Sequence, residues 1–341
     1  MSQISLTASM RSNLLSLQGT SDLMSQTQER LATGKKVNSA IDNPSSYYTA
    51  QSLSNRANDL SSLLDSMGQA ISTIKAADEG IEAITSYVEQ AKAVANNALD
   101  TTDVAARGKY LTQFNSIREQ IDKLAADSGY KGINLLKGGS LTVTFNEGRD
   151  NQLTIGGVNA TTDGDLGIAA AADWAVEKTG TAKTVDADGK IAGGLEASTP
   201  YIVKKDDAFY YYNGGAVTAD TVFDVNSAVK VEKVKIDGVD KYIDMAASAT
   251  NINTAITNTT NAISQLRTFA SDFGNNYAIV ETRESFTTNL INVLEEGADK
   301  LTLADMNEES ANMLALQTRQ QLAINSLSLA SQAAQSVLSL F

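Results

Sequence analysis

RLATGKKVNSAIDNPSSYYTAQSL, residues 30–53, decides how this chain is built. A helical run with apolar residues three and four apart ends in Thr33-Gly34-Lys35-Lys36. It passes Pro44, one of only two prolines, and then resumes toward Asp100. Gly34 permits a turn, and Pro44, whose fixed φ suits a first helical position, limits where the next helix begins. One helix is stopped so that a longer one can start.

Apolar seams extend from this joint in both directions. Before it, Leu14, Leu17, Ser21, Met24, Gln28 and Leu31 alternate steps of three and four. Near the other end, Met313, Leu316, Gln320, Ala323, Leu327, Ala330, Ala334, Val337 and Phe341 do the same. That spacing is the coiled-coil repeat, and the small residues in it let helices approach closely. After the joint, Leu60, Leu63, Leu64, Met67, Ile71, Ile74, Ile81, Ile84 and Val88 predict a helix over 45–100, about 80 Å long at ~1.5 Å per residue. A shorter helix carries Leu111, Phe114, Ile117, Ile121 and Leu124, started by Asp103 or the nearby threonines and ended near Gly129. A third, over 251–296, carries Ile252, Ile256, Ile263, Leu266, Phe269, Phe273, Leu290 and Leu294. Helices of this length cannot bury their own stripes, so the two flanks are expected to pack on one another, leaving the middle of the chain at the far tip.

The middle reads as β. Of 23 glycines, 16 fall between Gly129 and Gly238, while the flanks are almost free of glycine and proline. LTVTFN alternates Leu141, Val143 and Phe145 against polar residues, and QLTIGG follows. Asp237-Gly238, between VKVEKVKI and VDKYIDM, is a two-residue hairpin signal. Val229 and Val231 are out of phase with Val234 and Ile236, which predicts a bulge at Glu232 or Lys233. Tyr210, Tyr211 and Tyr212 read as strand packing rather than a carbohydrate platform.

Composition removes most catalytic chemistry. Without cysteine or histidine there is no thiolate nucleophile, no Ser-His-Asp arrangement and no zinc protease motif. Asp163, Asp165, Asp186 and Asp188 lie in glycine- and threonine-rich turns without the fixed spacing of a calcium loop. The glycine pairs at Gly138, Gly156, Gly193 and Gly214 lack Walker or dinucleotide spacing. The reading is therefore of a chain that is no enzyme and holds no cofactor or metal. A formal charge of −13 argues against nucleic acid, and the Lys35-Lys36 pair makes a solvated bend rather than a basic patch. No Sec-type signal and no run of apolar residues long enough to span a membrane is present, so membrane insertion is not expected.

The chain tips are the unusual part. Residues 320–341, QQLAINSLSLASQAAQSVLSLF, carry no charge, and Arg11 is the only charge in residues 1–21. A solvent-facing helix normally carries charge on its outer face. Two such helices cover each other on one side and keep apolar stripes for neighbouring copies, which predicts obligate polymerisation through a packed central layer. In the free monomer these tips are expected to be largely disordered, because an isolated pair buries too little to offset roughly 1–2 kcal/mol of backbone entropy per residue.

Two stretches resemble a known family. QERLATGKKVNSAIDNPSSYYTAQSLSNR (28–56) is similar to the N-terminal block of the bacterial flagellins, and LADMNEESANMLALQTRQQLAINSLSLASQAAQSVLSLF (303–341) to their C-terminal block. The resemblance implies a fold that is mainly α with a β-rich insertion: long helices of both termini packed as coiled-coil rods, and a β- and turn-rich domain at the distal tip. The expected domains are 1–45 with 303–341 as a terminal coiled-coil core, 46–139 with 251–302 as a long-helix bundle, and 140–250 as a variable outer domain. The implied function is a structural subunit that self-assembles into the flagellar filament for motility, exported without a cleaved signal and located outside the cell. Implied partners are many copies of the chain itself, an export chaperone, and hook-associated and cap proteins. Subunit packing is expected at Leu14, Leu17, Met24, Leu31, Met313, Leu316, Ala323, Leu327, Val337, Leu340 and Phe341. Gly34, Lys35, Asn38, Asp42 and Pro44 are expected to form the spoke between an inner and an outer tube of helices. The chain departs from the family at 88–99, VEQAKAVANNAL, where many flagellins carry arginines used in subunit contacts and by a host innate receptor. Here Lys92 is the only basic residue. The rival readings are a hook–filament junction protein and, from another class, a membrane-active type III translocator.

Overall fold

The computed structural model describes residues 8–338 apart from 220 and 237. The chain divides into two compact units, one of residues 1–65, 145–149 and 284–341, the other of 66–144 and 150–283.

The first unit begins with α1 (Ala8–Thr33) and continues into α2 (Pro44–Asp100), which belongs to it as far as residue 65. It takes the later part of α4 (Met245–Thr302) and all of α5 (Met306–Leu338). α1 and α5 pack together. Ala57, Leu60 and Leu294 form a buried cluster joining α2 and α4, ringed by Leu53, Leu63, Leu290 and Ile291.

The second unit holds the rest of α2, α3 (Val104–Asp127), the start of α4 and the β region. The α2 stripe buries Met67, Ile74, Ile81, Ile84 and Val88, then narrows to Ala91, Ala95 and Ala98. α3 is capped as the sequence predicts: the Asp103 carboxylate accepts the Ala105 N–H at 2.9 Å. α4 starts earlier than predicted, at Met245, because Asp244 caps it by accepting from the Ala247 N–H. Gly80 of α2 is required by close packing: a Cβ there would stand 2.4 Å from Ser128 Oγ and 2.7 Å from Leu136 Cδ1. Trp174 is fully buried against Phe114 of α3, ring centroids 5.3 Å apart.

The predicted LTVT and QLTI strands form a hairpin, β1 (Leu141–Thr144) and β2 (Gln152–Ile155), with Leu141 opposite Ile155. A six-stranded sheet follows, in the order β3-β8-β7-β6-β5-β4. Its strands are β3 (Glu177–Lys178), β4 (Thr181–Thr184), β5 (Tyr201–Lys205), β6 (Ala208–Tyr212), β7 (Val229–Ile236) and β8 (Val239–Ile243). β4 and β5 run parallel, and the other pairs antiparallel. The β7–β8 hairpin lies where predicted, with Ile236 opposite Val239 and Gly238 at φ +81°. Asp237 is outside the described residues.

The predicted bulge is absent: β7 is one unbroken strand. Its residues 229–231 pair with β6 and 232–236 with β8, and the phase of its apolar residues changes where the pairing partner changes. The tyrosine run splits by strand alternation. Tyr212 is buried in a cluster with Tyr201, Val203 and Phe223 against which Tyr210 packs, while Tyr211 takes the opposite face beneath the Lys178 ammonium.

Candidate assembly surface

The joint between α1 and α2 is built by short-range chemistry. Gly34 adopts φ +70°, a left-handed conformation that closes α1, and its N–H donates to Arg30 O at 2.8 Å. The chain then reaches across to the turn between α4 and α5. Lys36 N–H donates to Thr302 O at 2.7 Å, Ala304 N–H donates to Gly34 O at 2.9 Å, and Lys35 forms a bridge with Leu303. The next residues wrap around one carboxylate: Asp42 Oδ2 accepts the N–H groups of Asn38 and Ser39, each at 2.9 Å, and the Ser39 hydroxyl. These bonds, the Ser39 backbone N–H foremost, hold the Asp42 pKa below the ordinary aspartate value. Asn43 Oδ1 accepts the Ser46 N–H, and Pro44 is the first residue of α2. All five predicted joint residues therefore lie in one hydrogen-bonded segment. Its pairing to residues 302–304 carried no sequence signal, because backbone groups do the work.

Beyond the joint, Arg30 Nη1 donates to Glu309 Oε1 at 2.9 Å, setting the last turn of α1 beside the first turn of α5. The helices, which pack on each other, are thus antiparallel. On α5 the predicted seam residues Met313, Leu316, Gln320, Ala323, Leu327 and Ala330 are all half-buried, and the side chain of Ala334 lies outside the described ones. Val337 lies in α5, with nothing described of its side chain, and Leu340 and Phe341 are outside the described residues.

On α1 the seam differs from prediction at alternate positions. Leu17, Met24 and Leu31 are half-buried in it, but the intervening places are held by Thr20 and Thr27, both buried, instead of Ser21 and Gln28. Leu14 lies off the seam, 39% exposed. Threonine is suited to the seam because Thr20 turns its hydroxyl back onto Ser16 O at 2.8 Å and presents its methyl group. A scale that ranks threonine as polar conceals this.

The pair leaves much apolar surface uncovered. Leu15 and Leu23 on α1, and Leu314, Leu322, Ile324 and Leu329 on α5, are 48–69% exposed. Full burial of one such side chain contributes roughly 1.5–3 kcal/mol, and residues 320–341, which hold three of the six, carry no charge. Among the described residues no helix is long and apolar enough to cross a membrane, and no group of carboxylates is placed to hold a metal ion. Asp186 serves its own turn, accepting from Asp188 and Lys190 N–H groups, and Asp165 accepts from Asn159 N–H.

The α1–α5 pair thus has an apolar seam inside and exposed apolar side chains outside. The family model of the bacterial flagellin N-terminal helical region matches residues 4–140, and that of the flagellin C-terminal helical region matches residues 256–341. A flagellin of Brucella melitensis biotype 1 is 29% identical over 344 residues, spanning 100% of this chain and 99% of that protein. Flagellin C of Rhizobium meliloti is 26% identical over 327 residues, 92% of this chain and 91% of that protein. Flagellin FljO of Caulobacter vibrioides is 29% identical over 222 residues, covering 61% and 81%. The chain belongs to the bacterial flagellins. It is a structural subunit of the flagellar filament, a homopolymer, and the family's role is not enzymatic.

Proposed function

We propose that α1 and α5 form the packed central layer of the filament, with residues 34–44 as the spoke that fixes the radial step to the longer helices. The six exposed apolar residues on a helix pair with an uncharged tip carry this reading. In it, Leu17, Met24, Leu31, Met313, Leu316, Ala323 and Leu327 close the pair within one subunit. Leu14, Val337, Leu340, Phe341 and the outward leucines meet neighbouring copies. Residues 46–139 with 251–302 form the surrounding bundle, and 140–250 the variable outer domain. The chain is secreted through the flagellum's own export route, with an export chaperone and hook-associated and cap proteins as partners. It holds no cofactor and catalyses no reaction.

Electron microscopy of the purified protein with and without residues 320–341 tests the reading. Filaments are expected from the intact chain and monomers from the truncated one. Filaments from both reject the central-layer mechanism. Short capped assemblies from the intact chain favour a junction protein, and leakage of liposomes favours a translocator.

A further inference from the structure

We propose that Asn213 is a site of spontaneous deamidation, which gives each subunit an added negative charge as it ages. Asn213-Gly214 is the only Asn-Gly step in the sequence, and it sits in an exposed bend directly after β6. Among the described residues neither the Asn213 carboxamide nor the Gly214 N–H has a hydrogen-bond partner. The segment is nevertheless held on both sides of that junction. Gly214 O accepts from the Ser198 N–H at 3.0 Å, and the Tyr212 hydroxyl donates to Gly215 O at 2.6 Å. A Cβ at position 214 would lie 2.7 Å from Tyr212 Cζ and Oη, so any other residue there would push against the buried Tyr212 ring. The fold thus keeps the one neighbour that leaves the asparagine open to attack.

The chemistry balances without a co-reactant other than water. Hydroxide removes the Gly214 amide proton, and the nitrogen attacks Asn213 Cγ. A C–N bond forms, and the side-chain nitrogen leaves as ammonia. Water then opens the five-membered imide at either carbonyl, giving aspartate or its β-linked isomer. Every other asparagine followed by a small serine is restrained. Asn115 and Asn325 lie within α3 and α5, whose ladder ties up the following N–H. The Asn226 side chain donates to Asp224 Oδ1 at 3.0 Å, and the Ser39 N–H that follows Asn38 donates to Asp42 Oδ2 at 2.9 Å.

The test is peptide mapping by mass spectrometry of the folded full-length protein during incubation at mildly alkaline pH, with isoaspartate measured by enzymatic methylation. Replacement of the side-chain NH2 by OH is expected at Asn213 about tenfold faster than at Asn115 or Asn226, a barrier difference of about 1.4 kcal/mol. Asn213→Gln is expected to abolish the fast isoaspartate signal without changing the thermal transition. An intact Asn213 over a period in which the urea-unfolded chain converts overturns the proposal, as does equal conversion at Asn115.

Discussion

Arg30 and Glu309, 279 positions apart in sequence, are joined by a 2.9 Å ion pair that fixes the register of the two terminal helices. The Glu309 side chain is only 9% exposed and that of Arg30 31%, so the pair is partly withdrawn from water and screened less than a surface bridge. Truncation of either partner strands the other. In the filament, where the α1–α5 pair is complete, Arg30→Ala is expected to destabilise it by roughly 1.5–3 kcal/mol, read from urea-induced depolymerisation, and a double-mutant cycle with Glu309→Ala is expected to show coupling. Additive single mutants would mean the pair is incidental.

Two glycines make an opposed pair of expectations. Gly34 holds φ +70°, so Gly34→Ala is expected to cost about 1–2 kcal/mol through backbone strain. Gly19 lies inside α1 with open space where a Cβ would stand, so Gly19→Ala is expected to stabilise the assembled helix in the filament by about 0.5–1 kcal/mol. Thermal melts of the two variants against the parent check both signs.

The spoke is expected to loosen in acid. Hydrogen bonds from Ser39 and Asn38 hold the folded Asp42 pKa below the ordinary aspartate value found in the unfolded chain. Its contribution is therefore complete above that ordinary value and is lost as pH falls through the lower folded value. Carboxyl carbon NMR titration of Asp42 should give a midpoint below that of exposed aspartates, and Asp42→Asn should remove this part of the acid dependence. A midpoint at or above theirs would contradict the hydrogen-bonded loop.

Leu322 and Leu329 are 61% and 67% exposed on α5. Leu322→Ser and Leu329→Ser are expected to leave monomer unfolding within about 0.5 kcal/mol of the parent. Each should raise the critical concentration for polymerisation about tenfold, the equivalent of about 1.4 kcal/mol. Sedimentation of polymer against total protein measures it.

The single tryptophan reports on the second unit. Phe114→Ala opens a cavity beside buried Trp174 and is expected to cost about 3–5 kcal/mol and to shift its fluorescence to the red.

Long, strongly periodic elements were legible in the sequence. The α2 and α3 boundaries, the two β1–β2 strands, the β7–β8 hairpin and the half-buried α5 positions from Met313 to Leu327 lie where spacing, caps and turn residues put them, because each is set by residues close in sequence. What escaped depends on partners distant in the chain or on backbone atoms. The seam needs Thr20 with its hydroxyl satisfied by its own helix, and the spoke pairs with Thr302 through carbonyls and amides that any residue possesses. The β7 phase change reflects a switch of neighbour from β6 to β8, which strand alternation alone reads as a bulge. For the candidate surface, the charge-free tip and its seam were legible. The outward leucines lay outside the seam spacing, but their exposure became visible only once α1 and α5 were packed together.

Hydrogen exchange at the amides of α1 and α5, in dilute monomer and in filament, tests the central claim most directly. An α1–α5 pair completed only by neighbouring copies should exchange within the dead time as a monomer and become the most protected region on assembly. Firm protection of both helices in the solitary chain would contradict the account.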